Sequence, residues 1–113
     1  MGFAVLGQQS QTIVSGIVQI NPPAIPNSPV LYQSYPNPFN PTAHIVYSIP
    51  KTALVKLIVY NILGQKVKTL FYGEEGPGKY SVIFNGDQLA SGVYFYRLQA
   101  GNYTDVKKML LLK

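Results

Sequence analysis

The side chains on this chain that most readily act as acids, bases or metal ligands are one histidine, His44, and four carboxylates, Glu74, Glu75, Asp87 and Asp105. Cysteine is absent, which excludes disulfides, thiolate metal sites and a cysteine nucleophile. A Ser-His-Asp site would have to use His44, and no nucleophile-elbow pattern accompanies it. His44 is read as an exposed strand histidine. Glu74 and Glu75 are sequence neighbours, whereas a glycosidase pair needs two carboxyls ~5–9 Å apart across a cleft. A solvated turn is the expected setting for them. One His without Cys does not make a zinc site. Asp87 and Asn85 lack the spaced ladder of calcium ligands, and Asp87 is expected to hydrogen-bond its own loop backbone. Gly76-Pro-Gly78 has no P-loop lysine and reads as a turn, and Asn102-Tyr-Thr104 fits a glycosylation sequon that is read as accidental. The chain is therefore expected to be non-enzymatic, with no catalytic residue, metal or cofactor.

Whatever positions these residues must be a single small domain, because 113 residues suffice for one and not two. Charged residues make up 12% of the chain and the net charge is +5. The basic residues are Lys51, Lys56, Lys66, Lys68, Lys79, Arg97, Lys107, Lys108 and Lys113. They are scattered, whereas nucleic-acid binders gather Arg and Lys on one face. A solvated basic surface is expected, with weak attraction to anionic polysaccharide or lipid headgroups left open. No run approaches the ~18 apolar residues of a membrane span. Residues 1–7 are apolar but lack a basic flank, and read as either a signal-peptide remnant or an ordered strand.

Strand patterns dominate the rest. Residues 43–49 alternate Ile45, Tyr47 and Ile49 against His44, Val46 and Ser48. Residues 53–60 set Val55, Leu57 and Val59 on one side. Asn61-Ile-Leu-Gly64 turns the chain into a hairpin partner at 65–72, anchored by Val67 and Leu70. A polar loop is expected at 73–78. Residues 79–85 then alternate Tyr80, Val82 and Phe84 against Ser81 and Ile83, and 85–92 is an irregular connection. Residues 93–100 carry Tyr94, Tyr96 and Leu98 on one face, and 103–112 form the last strand. Turns every 8–12 residues argue an antiparallel sandwich. The nine tyrosines suggest either core packing or a flat platform for sugars; the polar neighbours of Tyr47, Tyr80, Tyr94 and Tyr96 favour core packing. Upstream, residues 21–34 carry four prolines in a short stretch and read as a semi-rigid linker. In Tyr35-Pro-Asn-Pro-Phe-Asn-Pro-Thr42 the prolines force successive turns, and Tyr35 and Phe39 offer side chains to pin that loop onto a core.

Four stretches, taken in order, resemble one family. They are Tyr35-Pro-Asn-Pro-Phe-Asn-Pro-Thr42, Val59-Tyr-Asn-Ile-Leu-Gly64, Leu89-Ala-Ser-Gly-Val-Tyr-Phe-Tyr-Arg-Leu98 and Lys107-Lys-Met-Leu-Leu-Leu-Lys113. The family is the type A C-terminal sorting domain of the type IX secretion system of Gram-negative bacteria. The resemblance covers residues 35–113. It implies an all-β, immunoglobulin-like antiparallel β-sandwich of six to seven strands. It also implies export with a cargo across the outer membrane through the translocon, via the periplasm, to the cell surface. A sortase-like peptidase then cuts just before the domain and attaches the cargo to anionic lipopolysaccharide. By position, the family's Gly-x-Tyr strand falls on Gly92, Val93 and Tyr94, continuing to Tyr96. Its terminal basic-apolar strand falls on Lys107, Lys108, Met109, Leu110, Leu111 and Lys113. These residues are expected to be recognised by the translocon. An apolar final strand with free ends suits edge pairing, with lysines fixing polarity and register.

Residues 1–34 fall outside the resemblance. They are too few for a catalytic cargo, so the chain is either an excised fragment or the sandwich is itself the product. Within residues 1–20, Thr12, Ile13, Val14, Ile17, Val18 and Ile20 form an uncharged β-branched segment. It would serve as a seventh strand or as a subunit-contact strand donated to an identical subunit, giving an open filament. Three readings thus stand: an export and anchoring domain, a filament subunit, and a carbohydrate-binding module.

Overall fold

The computed structural model describes residues 26–113. Seven strands follow in chain order: β1 (Val30–Leu31), β2 (Thr42–Ile49), β3 (Ala53–Tyr60), β4 (Lys66–Glu75), β5 (Gly78–Asn85), β6 (Gly92–Ala100) and β7 (Tyr103–Leu111). They make two antiparallel sheets, one ordered β1-β2-β5 and the other β4-β3-β6-β7. Two hairpins, β3-β4 and β6-β7, lie within the larger sheet, and the chain changes sheet after β2, β4 and β5.

Period-2 alternation decides which side chains meet between the sheets. β2 sends Ala43, Ile45, Tyr47 and Ile49 inward, β3 sends Val55, Leu57 and Val59, and β6 sends Tyr94, Tyr96, Leu98 and Ala100. Phe84 from β5, Met109 and Leu111 from β7, Leu31 from β1 and Phe39 from the proline-rich loop complete this single core. Val67, Leu70 and Tyr80 pack on it while partly buried. Shifting any of these strands by one residue would turn its core set to solvent, so the alternation also fixes register. The tyrosines of the inner faces are core residues, with the rings of Tyr47 and Tyr80 stacked at 5.5 Å.

The hydroxyl of Tyr96 joins the two sheets. It donates to the Tyr32 carbonyl at 2.8 Å and accepts the Ser34 N–H at 2.7 Å. Leu31 and Ser34 are buried, so the sandwich takes in chain upstream of Tyr35. The seventh described strand comes from this stretch, Val30–Leu31; residues 12–20 lie outside the described residues.

Three local expectations need correction. Glu74 and Glu75 do not sit in a solvated turn. They end β4, pairing with Leu54 and Ala53, and the alternation points Glu75 inward, where its carboxylate accepts the Tyr47 hydroxyl. The expected polar loop is thereby reduced to Gly76 and Pro77. His44 is half-buried rather than exposed, because the Tyr35 ring stacks on it at 5.1 Å and 16°. In the 85–92 connection it is the Asn85 side chain that accepts the Asp87 N–H, at 2.8 Å, not the Asp87 carboxylate that bonds the loop.

Burial, reinforced by the Glu75 carboxylate, pushes the Tyr47 phenol well above its ordinary 10.0. Burial also raises Tyr96, against a lowering contribution from Ser34. A phenol that holds its proton more tightly when folded contributes stability in full below its unfolded value and loses it as pH climbs towards the folded one. Urea melts from about pH 8 to about pH 11 should therefore show stability falling only above about pH 10, with a weaker fall in Tyr47→Phe. Separately, Tyr96→Phe should cost about 1–3 kcal/mol near neutral pH, because it leaves the Ser34 N–H and the Tyr32 carbonyl without their partner.

Candidate recognition site at the C-terminal strand

The β6-β7 hairpin brings together every residue expected to be recognised except Lys113. Gly92 pairs with Leu111, Val93 with Leu110, Tyr94 with Met109, Phe95 with Lys108 and Tyr96 with Lys107. Alternation then divides them. Tyr94, Tyr96, Met109 and Leu111 point inward and are buried in the core. Gly92 shares their face, opposite Leu111, with a φ of 152° that a residue with a side chain adopts only under strain. Val93, Lys108 and Leu110 point to the outer face of the sheet, and Lys107 is half-buried at its inner margin. Lys113 lies beyond the hairpin. Its N–H bonds the Ser91 hydroxyl at 3.0 Å, and its ammonium reaches the Asp87 carbonyl at 2.5 Å.

β7 is an edge strand, and its far half is not free to pair with another chain. The proline-rich loop lies along it. Phe39 donates its N–H to the Leu110 carbonyl at 2.9 Å and accepts the Leu112 N–H at 3.0 Å, a parallel bridge. The Asn37 side-chain oxygen accepts the Leu110 N–H at 3.0 Å, and the Gln33 amide donates to the Lys108 carbonyl at 2.9 Å. Nearer the start of the strand, the Asp105 carboxylate takes the Val106 N–H at 2.8 Å. The expectation of an edge open to strand addition thus fails between Lys108 and Leu112. The proline ring at each side of Asn37, at Pro36 and Pro38, gives the loop no N–H to extend the ladder further.

The Phe39 side chain holds this cap in place. It is 1% exposed and packs edge-on against Phe84, with ring centroids 5.9 Å apart. Gly86 lies under it, so close that a Cβ there would sit 3.0 Å from Leu111 and 3.3 Å from Phe39. Tyr35, the other side chain expected to pin the loop, stays 54% exposed and instead covers His44. Gln33, Asn37 and Gly86 were not singled out from sequence. Their partners lie across the fold, with Asn37 bonding a residue 73 positions away.

Residues 33–112 match the family described as the secretion system C-terminal sorting domain. The chain belongs to this family. A search of curated proteins finds no match to the chain. Membership makes the chain a C-terminal sorting domain of type IX secretion, which directs export to the surface of, or release from, Gram-negative bacteria. The partner this implies is the type IX secretion machinery. The family is a non-catalytic signal domain. Among the described residues no helix is long and apolar enough to cross a membrane, and no group of three or more His, Cys, Asp or Glu side chains gathers to hold a metal. The candidate donor strand at Thr12, Ile13, Val14, Ile17, Val18 and Ile20 lies outside the described residues.

For this sorting domain, Phe39→Ala removes a buried ring and loosens the cap at one stroke. It should lower stability by about 3–5 kcal/mol in urea melts, against about 0.5–1.5 kcal/mol for Tyr35→Ser, which loses only the stacking of a half-exposed ring on His44.

Proposed function

We propose that this domain is an inert export and anchoring label, with no catalytic activity of its own. The type IX translocon and sortase recognise it in the folded state through the β6-β7 hairpin. In this reading Gly92, Tyr94, Tyr96, Met109 and Leu111 act by building the strand pair, whereas Val93, Lys108 and Leu110 make the contacts on the outer face and Lys107 and Lys113 add charge at its margins. The observation that carries it is the closed edge of β7. With Leu110 and Leu112 already bonded to Phe39, a partner meets side chains and not a free backbone ladder. Recognition by side chains also lets lysines set specificity, because a charge that meets no counter-charge in a wrong partner is penalised.

The test compares two variants in a type IX-secreting host. Lys108→Glu combined with Leu110→Asp changes outward groups only and should leave a folded domain. Export should drop at least tenfold, with the protein held in the periplasm. Normal export of that folded variant would overturn the reading. Met109→Ala weakens the core by about 2–5 kcal/mol, so the amount exported at permissive temperature should follow the folded fraction and not vanish outright.

A further inference from the structure

The outer face of the larger sheet continues well beyond Val93, Lys108 and Leu110. Its next rows set Tyr60 beside Phe95, and Ile58 beside Arg97 and Val106. At the far margin Lys56 faces Tyr72 across the β3-β4 pair. The Asn61–Gln65 turn overhangs one end and leaves Ile62 and Leu63 70% and 76% exposed. A groove of about 310 Å³ runs between this turn and the sheet, lined by Tyr60, Ile62, Phe95, Arg97 and Val106.

Two cations on the face are held by rings. The Arg97 guanidinium lies over Tyr60 at 5.0 Å, and the Lys56 ammonium over Tyr72 at 5.2 Å. A cation parked on an aromatic face keeps its charge while losing side-chain freedom, so less order remains to be imposed when an anion arrives. Lys108 adds a third cation beside Phe95. The carboxylates that might offset them are engaged elsewhere: Glu75 by Tyr47 on the inner face, and Asp105 by the Val106 N–H and, at 3.3 Å, the Tyr103 hydroxyl. Among the described strand residues, only Glu74, opposite Leu54 at the corner, brings negative charge to this face.

We propose that this face docks a protein partner whose apolar ridge is flanked by carboxylates. The inference deepens the reading above and rests on it: it extends the same recognition surface from the β6-β7 hairpin across β3 to the Asn61–Gln65 turn. Charge decides against a second copy of this chain, because Arg97, Lys56 and Lys108 would face their own counterparts and the net charge is +5. The exposed aliphatic groups Ile62, Leu63 and Val106 decide for a protein over a polysaccharide, which offers them no apolar pocket. Aromatic and Arg side chains are also the usual anchors of protein interfaces. Four strands about 4.8 Å apart and seven residues of about 3.4 Å give a face of roughly 15 by 24 Å. That is below the ~800 Å² per partner of a standard stable complex and suits a passing encounter during export.

The test is site-specific photocrosslinking of the full chain in a type IX-secreting host. A photoreactive phenylalanine replaces Leu63 on this face or Ile83 on the outer face of the opposite sheet, both exposed and neither part of the core. From position 63 a discrete adduct to an outer-membrane component of the type IX machinery is expected, with little from position 83. Arg97→Glu should cut that adduct at least fivefold and Arg97→Lys should largely restore it, which separates loss of charge from loss of fold. Equal crosslinking from both positions, a glycan or lipid smear, or an adduct of twice the chain mass would each overturn the inference. Absence of any adduct at 63, while Lys108→Glu with Leu110→Asp still blocks export, would sink this inference alone. Normal export of that double variant would remove the reading on which it rests.

Discussion

The parallel bridge between Phe39 and the last strand holds the proline-rich loop and the β6-β7 hairpin together. Its backbone bonds close the edge of β7 at Leu110 and Leu112, while its ring fills the core beside Phe84. Each half depends on the other. Without the buried ring, a proline-rich loop has too few backbone donors to lie along a strand. Without the backbone bonds, the ring would have to be held in the core by packing alone. The same contact tethers the end of the chain, which Lys113 then fastens to Asp87 and Ser91.

Closing this edge has two physical consequences. An unpaired apolar strand at the edge of a folded sheet invites pairing with other chains, and native proteins cover or blunt such edges. Closure also assigns roles within the terminal motif. Met109 and Leu111 belong to the core and determine whether the strand is there at all. Lys108 and Leu110, one residue out of phase, remain on the surface. A motif that reads in sequence as one basic-apolar block is therefore two interleaved sets with different work.

The strands were largely legible because alternation is a local signal: Ile45, Tyr47 and Ile49 announce the inner face of β2, and Tyr94, Tyr96 and Leu98 that of β6. The four motif stretches also identified the family. Composition misled at Gly73-Glu-Glu-Gly76, where turn-forming residues suggested a loop. Pairing with β3 and the Tyr47 hydroxyl carried the strand on to Glu75. Prolines likewise hid β1, because two ladder residues at Val30 and Leu31 are too short a run to stand out beside them. The cap on β7 was out of reach for a different reason. Phe39 was expected to pin its loop, but nothing local to Gln33 or Asn37 reveals partners 75 and 73 residues away. Long-range side-chain bonds leave no period in a sequence.

Amide hydrogen exchange of the folded domain tests the closed edge most directly. Alternation along β7 turns the N–H groups of Thr104, Leu110 and Leu112 to the same outer edge. If Phe39 and Asn37 close that edge, Leu110 and Leu112 will exchange only on large-scale opening, while Thr104 exchanges quickly. Exchange of Leu110 and Leu112 as fast as that of Thr104 would mean that the edge is open, and that the last strand is available for pairing after all.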